Sequence, residues 1–378
     1  MRRLGCLILV VLLLAAPVSA AAVEVPAKSA CLMDIETGTV LSEQNADMPL
    51  APASVTKVMT MLLVMEALDS GKIQLTDTVT ASEAAAAKGG SQIYLKVGEQ
   101  MSVEDMLKSV AVSSANDCAC ALAEHLCGSE AAFVDQMNKR AQELGMKNTH
   151  FVNCTGLDDD PNAKDHRTTA RDIAIMSRQL LKYHPDITKY TTIWMDTVRN
   201  GTFGLSNTNK LVRFYPGATG LKTGFTSGAG YCLSASAEKE GLGLIAVVMG
   251  SETSKDRFSA CKSLLDHGFA SYAVVRQALP ENSRVPVKLG KADFVTAVPA
   301  EDNALLIDKS QKASVTTEVT LDAEVSAPVS QGQKLGMLTV KAGDQVLKQV
   351  PMVAETAVPR LTFWDIFGML LRKMVGAK

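Results

Sequence analysis

The sequence predicts an α+β chain built as two bodies and a helical tail, and three observations carry that reading. Apolar runs of helical character fill residues 54–69 and 102–144. Two further apolar runs, Tyr231 to Ala237 and Leu242 to Met249, read as a hairpin at the heart of a sheet. From Glu281 to Val358 the pattern shifts to short alternating runs, which read as a small antiparallel β domain. The divisions expected are a signal at 1–22, a first body at 23–278, a β-rich domain at 279–358 and an amphipathic helix at 359–378.

A chain of 378 residues exceeds one typical domain and can bury a core that needs no staples. The hydrophobic fraction of 47% and the net charge of -2 fit a globular body. With no basic run in that body, nucleic acid is excluded as a partner. Arg2 and Arg3, the apolar run Leu4 to Ala16 and the small residues to Ala20 read as a secretory signal, too short to span and expected to be cleaved near Ala20 to Ala22. Loss of those two arginines takes the charge from -2 to -4.

Taken in order, residues 31–41 predict two short strands turning at Glu36-Thr37-Gly38. Ala51-Pro52-Ala53 breaks the chain ahead of Ser54, which opens a helix apolar nearly all round, to Asp69, closed by Gly71. Ser102 with Asp105 starts a helix to about Val112, a second runs from about Ala115 to Cys127 and stops at Gly128, and Ser129 caps a third to about Leu144. Asn148 to Arg167 reads as irregular, and its Asp158-Asp159-Asp160 lacks the alternating spacing of a calcium loop, so a solvated loop is expected. Helices are expected again from Thr169 to about Tyr183 and from about Ser254 to Val275.

In the β domain the strands expected are Ala313 to Leu321, Leu335 to Lys341 and Val346 to Val353, with Gly343-Asp344 turning the last pair. The tail sets Phe363, Ile366, Phe367, Leu370 and Met374 on one helical stripe, widened by Trp364 and Leu371, with Asp365, Arg372 and Lys373 opposite. It can dock on the protein's own surface, but an aromatic, basic, terminal segment after a complete domain points to a membrane interface. Seven cysteines follow the signal, an odd number that cannot all pair, and their apolar neighbours suggest small buried hydrophobes. The five histidines show no metal-ligand spacing, and no cofactor or metal is expected.

Three short motifs could carry chemistry. If the helix begins at Ser54, Ser54 and Lys57 stand one turn apart on one face, close enough for a desolvated amine to take the hydroxyl proton. The helix start also offers N–H groups to an oxyanion. By itself the pattern is equally that of an N-cap, and it recurs at Ser236/Lys239 and Ser259/Lys262. Ser114 and Asn116 lie on a tight connection and offer hydrogen-bonding groups, or simply a cap and a turn. Lys222-Thr223-Gly224 sits on the strand before the hairpin, where a glycine lets a ligand backbone lie close and the lysine and threonine can hold a carboxylate.

Ser54-x-x-Lys57, Ser114-x-Asn116 and Lys222-Thr223-Gly224, in that order and separated by 60 and 108 residues, resemble the motif set of penicillin-recognising serine enzymes. The words from Pro52 to Thr60 and from Lys222 to Tyr231 are similar to those of serine-type D-Ala-D-Ala carboxypeptidases, the low-molecular-mass penicillin-binding proteins. The resemblance covers nearly the whole mature chain. It implies an antiparallel sheet flanked by helices with a helical subdomain, followed by a small all-β domain and a C-terminal amphipathic helix. It also implies that Ser54 attacks the peptide between two terminal D-alanines, that Lys57 is the base, and that Ser114 and Asn116 assist. Lys222 and Thr223, with Arg257 at a matching position, would bind the terminal carboxylate, and the Ser54 and Phe225 N–H groups beside Gly224 would form the oxyanion hole. The partners implied are peptidoglycan stem peptides, β-lactam antibiotics and the outer face of the cytoplasmic membrane.

Two departures from the family pattern are Ala115, where many relatives have glycine, and Phe225, where some have histidine. A β-lactamase shares the three motifs, but the Glu-x-x-Leu-Asn element of the similar class A enzymes is absent. A scaffold that only senses stem peptides is the non-catalytic alternative, and the intact motif set argues against it.

Overall fold

The computed structural model describes residues 23–159, 162–276, 283–301 and 304–374. The expected signal at 1–22, Asp160 and the last four residues of the tail lie outside them. The chain forms two units, one of Ala21–Val274 with Leu306–Lys309 and the other containing Val275–Leu305 and Ser310–Lys378.

The first unit is organised by a five-stranded antiparallel sheet. Its strands are β1 (Ser29–Asp34), β2 (Val40–Gln44), β3 (Ala218–Thr226), β4 (Gly230–Lys239) and β5 (Leu242–Ser251), in the order β2-β1-β5-β4-β3. Alternation along β5 feeds two cores: Ile245, Val247 and Met249 face one, and Leu244, Ala246 and Val248 face the other. The first core takes in α1 (Lys57–Asp69), α2 (Val103–Ser113), α3 (Asn116–Cys127), α4 (Glu130–Glu143) and α5 (Ala170–Tyr183). The second is closed by α6 (Ser254–Ser271), whose Ala260, Cys261, Leu264 and Leu265 are buried. Ten of the thirteen residues of α1 are buried, as its uniformly apolar sequence requires. Ser102, Ser129, Thr169 and Thr253 cap their helices by accepting the N–H three residues on.

Two expectations change here. Helix α6 stops at Ser271 and residues 272–275 run as a strand, since Tyr272-Ala273-Val274-Val275 combines β-branched and aromatic residues that favour extended backbone. Ser54 does not begin the α-helix: it lies in a 3₁₀ turn, Ala53–Thr56, and α1 starts at Lys57.

The second unit is a six-stranded sheet of β6 (Arg284–Lys288), β7 (Phe294–Pro299), β8 (Val315–Leu321), β9 (Val325–Ser326), β10 (Lys334–Ala342) and β11 (Gln345–Ala354), in the order β8-β10-β11-β7-β6-β9. The last pair, β6 with β9, is parallel, so the domain is not wholly antiparallel. Its core holds Val285, Val287, Val295, Leu335, Leu338, Val340, Val350 and Met352. The chain then passes into α7 (Phe363–Met374).

Candidate active site

Side chains three apart eclipse on a 3₁₀ turn, so Lys57 stands directly against Ser54. Its Nζ donates to Ser54 Oγ at 3.0 Å and to the Thr155 carbonyl at 2.8 Å. Lys57 is fully buried while Ser54 is half-buried. Burial strips the ammonium of water and pulls the amine down to about 7, against smaller opposing effects of Cys154 and Asp117. Near neutral pH such an amine is partly unprotonated and can accept a proton.

The turn carrying Ser54 is strained and braced. Ala53 holds φ +48°, and its carbonyl accepts from Thr56 Oγ1 at 2.8 Å. His166 Nδ1 accepts the Val152 N–H at 3.1 Å, so that nitrogen bears no hydrogen in this bond; Nε2, 2.8 Å from Thr56 Oγ1, is then the donor, and Thr56 passes its own hydrogen to Ala53. His166 thus locks the nucleophile turn to the segment that holds Lys57. Asn153 shapes that segment: its Oδ1 accepts from the Thr155 N–H, the Thr155 hydroxyl and the Gly156 N–H, and its Nδ2 donates to the Leu157 carbonyl.

Ser114 caps α2 at φ +63°, and Asn116 opens α3. Asn116 donates from Nδ2 to the Gly89 carbonyl at 2.7 Å and from its backbone to the Ser91 carbonyl at 2.7 Å. Asp117, fully buried, accepts the N–H groups of Ile93, Leu95 and Cys118. Ser114 Oγ and Asn116 Oδ1 are buried without a hydrogen-bond partner. Two orphaned buried oxygens are costly unless a visiting group completes them.

On β3, Lys222 is buried and donates to the Thr223 carbonyl at 3.0 Å. Desolvation, with Lys57 and Arg257 nearby, holds its amine well below the ordinary lysine value. Thr223 Oγ1 donates to Thr208 Oγ1 at 2.7 Å, and Arg257 donates to the Gly224 carbonyl at 2.9 Å. The glycine was expected to admit a ligand backbone, but its nearest constraint lies within the chain. A Cβ on Gly224 would come within 2.7 Å of the Pro52 carbonyl and 3.1 Å of the Ser54 nitrogen. Glycine is what lets β3 run beside the Ser54 turn. Phe225 is 53% exposed and stacks on Tyr231, 4.3 Å between centroids, with the Arg257 guanidinium over the Tyr231 ring.

The structure therefore brings Ser54, Lys57, Lys222, Gly224 and Arg257 around one turn, with Thr223 on the same strand. Asn116, two residues after Ser114, meets the segment behind Lys57 at Gly90, where a Cβ would touch both Asn116 Nδ2 and Leu157. What the motifs did not reveal is the backing: Thr56, Gly89, Ser91, Asp117, Asn153, Thr155, Gly156 and His166. Most act through backbone groups and leave no spacing signal, although Asn153 and Gly156 are turn residues inside a segment read only as irregular. Asp158 and Asp159 are exposed, as expected, but residues 153–156 of the same segment are buried. The seven cysteines are free, and only Cys127 is not fully buried. Among the described residues no cluster of His, Cys, Asp and Glu could hold a metal.

Comparison with known proteins gives the family of the chain. Residues 16–253 match the D-alanyl-D-alanine carboxypeptidase family and residues 276–360 match the penicillin-binding protein 5 C-terminal domain. The chain is 45% identical over 343 residues to the D-alanyl-D-alanine carboxypeptidase DacF of Bacillus subtilis, covering 89% of this chain and 87% of that one. It is 34% identical to DacC of Escherichia coli, covering 93% and 90%. Penicillin-binding protein 5 from Haemophilus influenzae is similar in structure, with a TM-score of 0.75 and 34% identity over 90% of this chain and 99% of the other.

Gly156 tests how tightly the backing segment and the nucleophile turn are joined. At φ +79° a Cβ there would lie 1.8 Å from the Ala53 carbonyl oxygen, a backbone atom with no room to move. Gly156→Ala is expected to cost roughly 3 kcal/mol in denaturant unfolding and to slow labelling of the protein by a fluorescent penicillin. Wild-type stability and labelling would show that the two segments adjust independently.

Proposed function

The chain belongs to the D-alanyl-D-alanine carboxypeptidase family and is a serine hydrolase of that activity, and from this premise we propose that Ser54 is the residue acylated. The observation that carries the assignment is the buried Lys57 amine, near 7, in contact with the Ser54 hydroxyl. Ser54 Oγ attacks the carbonyl between the two terminal D-alanines of a peptidoglycan stem while Lys57 accepts its proton. The oxyanion is taken by the Ser54 and Phe225 N–H groups, made adjacent by the close passage at Gly224. The bond to the leaving D-alanine then breaks, its nitrogen takes a proton relayed from Lys57, and water later releases the acyl group by the same steps in reverse.

Ser114 and Asn116 complete the arrangement with the two unpartnered oxygens, one to pass protons and the other to hold the substrate amide. Lys222, Thr223 and Arg257 meet the terminal carboxylate. β-Lactams would enter the same way: the similar penicillin-binding protein D2 of Listeria monocytogenes has been solved with cefotaxime and with ampicillin bound. We further propose export by residues 1–22 and peripheral attachment by 359–378 to the outer face of the cytoplasmic membrane. Among the described residues no helix is long and apolar enough to cross a membrane. Phe363, Trp364, Phe367, Met369 and Leu370 of α7 are nevertheless between 44% and 75% exposed, which suits an interfacial helix.

Three outcomes are expected. A fluorescent penicillin should label Ser54, the label should vanish in Ser54→Ala, and the purified enzyme should release D-alanine from a pentapeptide. Label mapped to Ser236 or Ser259, or rapid penicillin turnover without D-alanine release, would reject the assignment.

Because only unprotonated Lys57 can act, and burial lowers its proton affinity, the acylation rate should climb as pH rises through about 7 and level above it. A flat profile from acid to neutral pH, measured by stopped-flow acylation, would remove Lys57 as the base.

Ending the chain at Val358 should leave D-alanine release intact and abolish flotation with phosphatidylglycerol vesicles. Equal flotation of the shortened and full-length proteins would remove the tail as anchor.

A further inference from the structure

Near the turn that leads from β6 to β7, two apolar side chains of the second unit are left out of its core. Along β6 and β7 the buried places fall to Val285, Val287, Val295 and Ala297, so the alternate, outward places should be polar. Phe294 occupies an outward place, 54% exposed, opposite Pro286. Leu289, just after β6, is 50% exposed and holds φ +56°. That left-handed conformation is costly for leucine and is ordinarily given to glycine or asparagine. Neither choice serves stability in water, and such breaks in local logic mark places shaped by something else.

The start of α7 is fastened to this same turn. The Leu361 N–H donates to the Leu289 carbonyl at 2.8 Å and the Lys291 N–H to the Pro359 carbonyl at 2.9 Å, with Gly290 and Arg360 forming a β-bridge between them. Lys291 Nζ pairs with Asp365 at 3.2 Å, and Asp365 also accepts from the Thr362 N–H and hydroxyl. The polar side of α7 is thereby turned toward Lys291. Phe363, Trp364 and Phe367, packed on one another, stay in solvent. Helix α7 therefore begins as a fixed continuation of the 289–294 turn.

We propose that this turn is a second membrane contact: Leu289 and Phe294 enter the headgroup layer of an anionic bilayer beside α7. The inference rests on the reading of α7 as an interfacial helix, and the backbone bonds that fasten α7 to this same turn are what select lipid as the occupant. Arg284, Lys288, Lys291 and Arg360 are exposed around them and can meet anionic headgroups, with Asp293, Glu324, Glu355 and Asp365 bringing the charges at this end into balance. Two contacts on one rigid piece would hold the β domain in a set orientation on the surface, where a lone flexible helix would not.

The test compares full-length enzyme, the chain ending at Val358 and the double variant Leu289→Asn, Phe294→Thr in flotation with phosphatidylglycerol-containing phosphatidylcholine vesicles. Asparagine tolerates the left-handed backbone and threonine suits an outward strand place, so the variant should keep its fold and its D-alanine release. Its vesicle partitioning should fall roughly tenfold. In a second measurement Phe294→Trp, in a background of Trp194→Phe and Trp364→Phe, should be quenched by lipids brominated near the headgroup. If shortening the chain abolishes flotation while the double variant floats as the wild type and Phe294→Trp is not quenched, the second contact is overturned and the helix anchor stands. If the shortened chain floats as well as the full-length enzyme and the double variant floats as the wild type, both fall.

Discussion

An ammonium group taken wholly out of water prefers to lose its proton, and the catalytic unit is built so that Lys57 is in that position. The amine needs surroundings that supply acceptors but no carboxylate in contact, since an ion pair would hold the proton in place. Thr155 gives one carbonyl and Ser54 one hydroxyl. Asp117, an acid near enough to be felt, spends its oxygens on the N–H groups of Ile93, Leu95 and Cys118.

Holding these groups requires three segments to approach more closely than side chains permit. Gly90 lies against Asn116, Gly156 against Ala53, and Gly224 against Pro52 and Ser54; in each case an added Cβ would fall under 3.0 Å from a neighbouring atom. Two of the three blocking atoms are backbone carbonyls, which cannot step aside as a side chain can. Close packing of backbone on backbone, with apolar α1 behind it, converts three distant stretches of chain into one rigid pocket.

The parts legible in the sequence are those that side-chain pattern controls. Caps at Ser102, Ser129 and Thr169, the apolar run of α1 and the β4–β5 hairpin each follow from local chemistry, and so their ends fall within a residue or two of expectation, except that α1 begins three residues late, at Lys57. The motifs around Ser54, Ser114 and Lys222 were legible because their residue types are themselves the chemistry. The segment from Asn153 to Leu157 was not, because it acts through a carbonyl, an asparagine turn and a glycine, none with a period. Strand β9, two residues long, pairs in parallel with β6 by tertiary context alone, and Val275 was drawn into α6 because a helix that ends without glycine gives no stop signal. In the β domain Phe294 and Leu289 passed unremarked, since a single outward apolar residue has meaning only once its neighbours in space are known.

On the proposed assignment the charge balance of the pocket also explains why the enzyme acts at a chain end. Lys57, Lys222 and Arg257 are buried close to one another, and among the described residues none of the three has an ion-pair partner. Desolvation presses all three toward neutrality, so the empty pocket is electrostatically incomplete. A substrate ending in a carboxylate supplies the missing negative charge beside Lys222 and Arg257 and favours the protonated form of Lys222. A positive charge held on Lys222 in turn disfavours a proton on Lys57, leaving it free to act as base. An internal peptide bond brings no carboxylate and sets off neither effect, whereas penicillins, which carry a carboxylate next to their reactive amide, set off both. Carboxypeptidase action and sensitivity to β-lactams are then two consequences of one unpaired positive site.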